Sequence, residues 1–264
     1  AYLIRERKVP PENILAVTFT NKAADEMRAR LRNLVGPLLT SILWVSTFHS
    51  ACARILRDNI EKLGYSRKFT IYDEIDQRTL MKLVLSELQI DSKQTSAGAV
   101  LGAVSNAKSK LIDCDTYTNN AGSFFEKKVA QAYRRYQQRL KENNALDFDD
   151  ILVLTVRLFE EHPDVLKLYQ EKFKYILIDE YQDTNHAQYR IANLLARKYR
   201  NICVIGDDDQ SIYSWRGADI SNILNFEQDY EDAAVFRLEQ NYRSTQRILE
   251  AAHNVIVNNI RRKG

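Results

Sequence analysis

Asp179 and Glu180 close the segment YILIDE (175–180), in which four apolar residues run straight into two carboxylates. Two adjacent acids can divide the work of phosphoryl chemistry. One can hold a hydrated Mg²⁺, which takes one or two protein carboxylates and fills its other positions with water and phosphate oxygens. The other can orient or deprotonate an attacking water. Neighbouring strand residues point to opposite faces, so the two acids are expected to have separate jobs. A second acidic turn, ICVIGDDDQ (202–210), carries Gln210, long enough to sense a phosphate or position a water. The competing reading is structural, because an Asp at a strand end also caps the helix that follows.

Aromatic and hydroxyl residues form a second group. QSIYSWRGAD (210–219) sets Tyr213 and Trp215 two apart, with Arg216 and Gly217 next. In extended backbone both rings face the same way. Such a pair suits the faces of unpaired bases, each stack being worth about 1–3 kcal/mol; the alternative is an aromatic pair filling the core beneath a loop. VTFTNKAADEM and VSTFHS share another logic: Thr18, Phe19, Asn21 and Lys22 in one, Thr47, Phe48 and His49 in the other, each at a strand end that opens a helix. Hydroxyls and helix N-termini there either contact phosphate oxygens without reading sequence or simply cap the helix.

These residues need elements to hold them. ILAVTFT (14–20), YILIDE and ICVIGD (202–207) read as buried parallel strands, and WVSTFHS (44–50) and AAVFRLEQ (233–240) as weaker strands of the same kind. Helical patterns follow most of them. Ala24, Met27, Leu31 and Leu34 form one stripe; NHAQYRIANLLARKY supplies another; Ser244-Thr245 caps a third, with Ile248, Ala252 and Val255 on one face. Strands alternating with helices imply a doubly wound α/β layer.

The stretch from about Tyr65 to Leu146 differs. It holds one short strand, FTIYD, and then helical patterns, and looks like an insertion between two α/β halves. In its clearest helix (124–144), Val129, Tyr133, Tyr136 and Leu140 make the apolar stripe. Lys128, Arg135 and Arg139 share another face, either solvated or set against a duplex.

Composition sets limits. The 264 residues carry a net charge of only +3, so any basic surface must be local. Cys52, Cys114 and Cys203 form no CxxC pair and read as reduced thiols; the four histidines are scattered and make no zinc site. No apolar run approaches the roughly 20 residues of a membrane span. The opening AYLIRERKVPPEN reads as the last turns of a helix stopped by Pro10-Pro11 rather than as a signal peptide. None of the eight glycines is followed by Lys-Ser or Lys-Thr, so the phosphate loop G-x-x-x-x-G-K-[ST] is not in these residues.

Taken in order, ILAVTFTNKAADEMRARL, VSTFHSACARIL, LDFDDIL, YILIDEYQDTN, VIGDDDQSIYSWRGADI and LEQNYRST resemble the motifs of the UvrD/Rep/PcrA family of superfamily 1 DNA helicases, over essentially the whole chain. The resemblance implies an α/β fold: a RecA-like parallel sheet flanked by helices, an incomplete P-loop NTPase domain with a mainly helical inserted subdomain. Residues 1–64 and 147–236 would form the first motor domain, 65–146 the insertion, and 237–264 the start of a second motor domain. It also implies ATP and Mg²⁺ as cofactors, with Asp179 on the metal and Glu180 activating water. Gln210 would couple the γ-phosphate to the DNA groove. Arg243 would reach that phosphate as an arginine finger, and Tyr242 would stack on the adenine. Phe19, Thr47, His49, Tyr213, Trp215 and Arg216 would line a single-strand track, with Thr18, Asn21 and Lys22 as weaker members.

Such proteins couple ATP hydrolysis to 3′→5′ movement on single-stranded DNA and to duplex unwinding. The implied partners are single strands, single/double-strand junctions and repair or replication proteins, in the cytoplasm and away from membranes. The phosphate loop and an adenine-reading glutamine are expected upstream of Ala1, and the rest of the second motor domain beyond Gly264. The 264 residues alone are therefore expected not to turn over ATP. Two other readings stay open: a non-motor single-strand-binding scaffold, and the motor part of a helicase–nuclease subunit.

Overall fold

Four apolar runs become the strands of one parallel sheet; helices cover both faces of the interior strand 14–18, whereas the edge strand 202–204, expected to be buried, is only partly covered and leaves Cys203 exposed. The computed structural model describes residues 1–91 and 95–257, apart from the side chain of Arg216. The chain runs α1 (Tyr2–Arg5), β1 (Ile14–Thr18), α2 (Asn21–Val35), α3 (Pro37–Ile42), β2 (Trp44–Thr47) and α4 (Phe48–Asn59). It continues through β3 (Thr70–Ile71), α5 (Glu74–Glu87), α6 (Ala97–Ser109), α7 (Cys114–Asn120), α8 (Phe124–Glu142) and β4 (Ala145–Leu146). Then come α9 (Phe148–Glu161), α10 (Pro163–Lys172), β5 (Tyr175–Ile178), α11 (His186–Ala196), β6 (Ile202–Val204), α12 (Ser221–Leu224), α13 (Phe226–Asp229) and α14 (Gln246–Ile256).

The sheet order is β2-β1-β5-β6, all parallel. Register pairs Thr18 with Thr47, Val17 with Ile178, and Ile178 with Val204, so the four carboxyl ends lie along one edge. All five residues of β1 are buried, as its interior place requires. On one face Leu15, Val17, Ile176 and Ile178 pack with α4, α9, α10 and α11 in the main core. On the other, Ile14, Ala16 and Val45 meet α1 and α2.

A separate core joins α5, α6 and α8 around Met81, Val84, Val100, Val129, Tyr133, Tyr136 and Leu140, the stripe expected for 124–144 included. The two-residue strands β3 and β4 pair in parallel beside it. β4 escapes the sequence patterns because two residues carry no periodicity. A buried charge cluster sits where this core meets α9. Lys108, at the end of α6, reaches Asp147 at 2.6 Å and Asp150 at 2.8 Å, and all three side chains are nearly inaccessible.

Two element expectations need correction. Residues 233–240 form no strand; Phe236 and Leu238 stand exposed, and no described strand lies alongside to complete their hydrogen bonds. On α2 the apolar stripe ends at Val35, which packs on the core, while Leu34 is turned to solvent. Spacings of three and four carry the stripe from Ala24 through Met27 and Leu31 to 35 rather than 34.

Candidate functional site

The carboxyl edge of the sheet gathers the ends of β1, β2, β5 and β6, and with them most of the residues singled out by chemistry. Asp179 follows β5 directly; its N–H donates to the Val17 carbonyl at 2.9 Å. Glu180 then adopts left-handed backbone, φ 54° and ψ 45°. For a residue with a side chain this costs on the order of 1–3 kcal/mol. The directions of the two acids are therefore set by this turn and not by strand alternation. Asp179 is half-buried and Glu180 exposed. Burial, and then the charge of Glu180, raise the Asp179 carboxyl above its ordinary range. A divalent cation on Asp179 would relieve both, and one carboxylate plus phosphate oxygens is the coordination Mg²⁺ favours. No cluster of three or more metal-ligating side chains exists among the described residues.

Beyond Glu180 the chain makes a tight turn, Tyr181–Asp183, and Gln182 turns inward. Its Nε2 donates to Glu180 Oε2 at 2.8 Å, and its Oε1 accepts from the Asp207 N–H at 3.1 Å. Asp207 in turn accepts from the Asp209 N–H at 3.0 Å and from Gln210 Nε2 at 2.6 Å. The Asp179–Glu180 corner and the Gln210 turn thus share one hydrogen-bonded edge. Gly206 makes this possible. A Cβ there would come within 2.5 Å of Gln182 Oε1 and 2.7 Å of Ile223 Cδ1.

From Gln210 the chain leads to the rings. Tyr213 is half-buried and stacks on Phe19, centroids 5.1 Å apart; Trp215 stands 6.4 Å from Tyr213 and is 72% exposed. The turn closes at Gly217, φ 85°, where a Cβ would meet Ser109 Oγ at 2.7 Å. It is then fastened to the segment after Gln182. Asp219 N–H and Asn222 Nδ2 donate to the Thr184 carbonyl at 2.9 and 3.0 Å, and Ala218 bridges Asn185.

The remaining expected residues divide. His49 lies edge-on to Phe148, centroids 6.1 Å apart, and burial lowers its pKa. Asn21 and Lys22 are exposed in the first turn of α2. Thr18 and Thr47 are buried, with hydroxyls already engaged: Thr18 donates to the Thr20 carbonyl, and Thr47 accepts from the Ser50 N–H as the cap of α4. The capping reading describes the geometry of Thr47, whereas the cap of α2 is Thr20, which accepts from the Ala23 N–H. The Arg216 side chain lies outside the described residues. Tyr242 and Arg243 sit on an exposed stretch. No described hydrogen bond or ion pair joins either to Asp179, Glu180 or Gln210. On α8, Arg135 and Arg139 pair with Glu87 and Glu142, and Lys128 lies 5.4 Å from the Phe124 ring centroid. That basic face is largely neutralised.

The edge therefore offers two carboxylates, an amide-bearing turn and a run of rings leading outward. The UvrD/REP helicase N-terminal domain matches residues 1–231. The chain belongs to the UvrD/REP helicase family. The ATP-dependent DNA helicase PcrA of Bacillus subtilis is 51% identical over 263 residues, and the PcrA proteins of Staphylococcus epidermidis and Staphylococcus aureus are each 52% identical. The match covers all of this chain and 36% of each relative, so the chain spans about a third of their length. Tyr242 and Arg243 fall outside the UvrD/REP match.

Within this UvrD/REP domain, sequence reasoning missed Gln182 and Phe148. Both lie inside quoted motifs, YILIDEYQDTN and LDFDDIL. The sequence offered only a weak signal for either: Gln182 lies among other polar residues, and Phe148 is an aromatic between two acids, which the structure leaves half exposed at the first position of α9.

Proposed function

We propose that this chain is the first-motor-domain portion of an ATP-dependent DNA helicase that moves 3′→5′ along single-stranded DNA and separates duplexes. The observation that carries the reading is the segment 207–219, in which Gln210 is hydrogen-bonded to Asp207, itself tied through Gln182 to Glu180, while Tyr213 and the exposed Trp215 follow. On this reading Asp179 holds Mg²⁺, whose role is to neutralise charge developing on the transferred phosphoryl oxygens. Glu180 orients the attacking water and takes its proton. Gln210 senses whether the γ-phosphate is present. Phe19, Tyr213 and Trp215 grip unpaired bases, the separate pair of His49 and Phe148 contributes to the same track, and Asn21 and Lys22 face the phosphates.

Gln210 and Trp215 are five residues apart on a turn anchored at both ends, so a small displacement at the phosphate moves the stacking ring. Tyr242 and Arg243 act only when a second motor domain closes on the nucleotide. We assign 1–64 and 147–236 to the first motor domain, 65–146 to the helical insertion and 237–264 to the start of the second domain, in a cytoplasmic repair or replication protein. No described helix is long and apolar enough to cross a membrane.

The test uses the protein at the full length of its relatives. ATP hydrolysis should be stimulated by single-stranded DNA, and a duplex with a 3′ single-stranded tail should be unwound. Single-strand binding without hydrolysis would mark a scaffold instead.

A further inference from the structure

We infer that Gln182 is a positioning residue that ties the Glu180 carboxylate to the 207–219 turn, so that the water-activating group and the base-stacking rings move as one unit. The inference rests on the function proposed above and adds to it a component that neither touches nucleotide nor touches DNA.

The geometry carries it. Gln182 is 1% exposed, and each end of its amide has one partner of opposite character. The Asp207 N–H can only donate, which places Oε1 against it and leaves Nε2 to donate to Glu180. The amide orientation is thus determined by chemistry and not by choice. A glutamate would lose the donor, an apolar side chain both bonds, and an asparagine the reach. The chain of contacts runs Glu180–Gln182–Asp207–Gln210, with one carboxylate oxygen of Glu180 held by the amide. Ser211 Oγ adds a long contact of 3.5 Å to the Gln182 carbonyl.

The far side of the turn is attached as well. Thr184 accepts from Asp219 and Asn222, and Asn185 bridges Ala218. Both feet of the ring-bearing turn therefore stand on residues 182–185, immediately after Glu180. Gly206 completes the device, since any side chain there would displace the amide. A rigid supporting shell of this kind holds a functional group to within fractions of an ångström.

The proposal is tested in the full-length protein with Gln182→Met, which keeps the volume and removes both hydrogen bonds. The kcat of DNA-stimulated ATP hydrolysis should fall about 10–100-fold, the range seen when an outer-shell partner is removed. The KM for ATP and the nucleotide-free affinity for single-stranded DNA should each stay within about threefold, the split expected when ground-state binding is spared. The ratio of hydrolysis with and without DNA should shrink towards one. Gly206→Ala, whose Cβ would crowd Oε1 of the same amide, should reproduce this pattern and serves if Gln182→Met does not fold.

Near-normal kcat and DNA stimulation in either folded variant would overturn the proposal. So would equal loss of basal and stimulated turnover, which would make Gln182 a packing residue. A wild-type protein without DNA-stimulated hydrolysis would instead overturn the function on which the inference rests.

Discussion

The ring of Phe19 lies stacked on the ring of Tyr213, 5.1 Å between centroids and 29° between planes. One ring leaves β1 and the other belongs to the turn after β6. They meet because both strands end at the same edge, two positions apart in the sheet. Trp215 extends the pair outward into solvent. The platform is thus built from two motifs whose separation in the chain hides the contact.

Trp215→Ala should weaken single-strand affinity by about 1–3 kcal/mol, the worth of one base–aromatic stack. Fluorescence anisotropy with a labelled oligonucleotide measures it. Unchanged affinity together with lost folding cooperativity would return Trp215 to a structural role.

In the full-length protein, Glu180→Gln should leave ATP binding in place and lower turnover by at least about 100-fold, because the carboxylate that accepts the water's proton is gone. Nucleotide binding and steady-state hydrolysis are measured side by side. Turnover near that of wild type would remove Glu180 from the chemistry.

Lys108→Ala should destabilise the fold by about 3–5 kcal/mol, the cost of leaving buried carboxylates without their partner. Burial works against the ammonium, yet Asp147 and Asp150 carry its pKa well above the ordinary lysine value. Adding Asp147→Asn and Asp150→Asn should recover part of the loss, since Asn also caps a helix well. Equilibrium unfolding in urea reads both variants. A loss below about 1 kcal/mol for Lys108→Ala would mean the cluster is open to water.

Asp183 supplies a pH-dependent test. Its Oδ1 is buried without a hydrogen-bond partner, and burial together with the Glu180 charge pushes its carboxyl up to about 6. A carboxyl raised in the folded state favours folding while protonated, and that contribution is lost as pH rises through the folded value. The stability of Asp183→Asn relative to wild type should therefore increase as pH goes from about 4 to about 8, through the window between the ordinary Asp value and 6. Thermal melting at the two ends of that range decides it. A constant difference would show that Asp183 titrates as an ordinary carboxyl.

Much of the architecture was legible from local pattern. Continuous apolar runs marked β1, β5 and β6. Helical spacing marked α8 and its buried stripe of Val129, Tyr133, Tyr136 and Leu140, because burial on one face imposes a period the residues must obey. The quoted motifs identified the family before any contact was known. Local pattern misled at 233–240, where no described strand lies alongside, and at Leu34, where the period runs on to Val35.

What only the tertiary structure decided were relationships across the chain. Gln182 reaching Asp207, Phe19 lying on Tyr213, Lys108 between Asp147 and Asp150, and Gly217 against Ser109 all join distant segments. So too did the left-handed turn at Glu180, whose strain is sustained by the surrounding structure. The reason is physical. Periodicity reports which face of an element is buried, whereas a hydrogen bond or ring contact depends on where two elements stand, and the order β2-β1-β5-β6 is set by the packing of the whole.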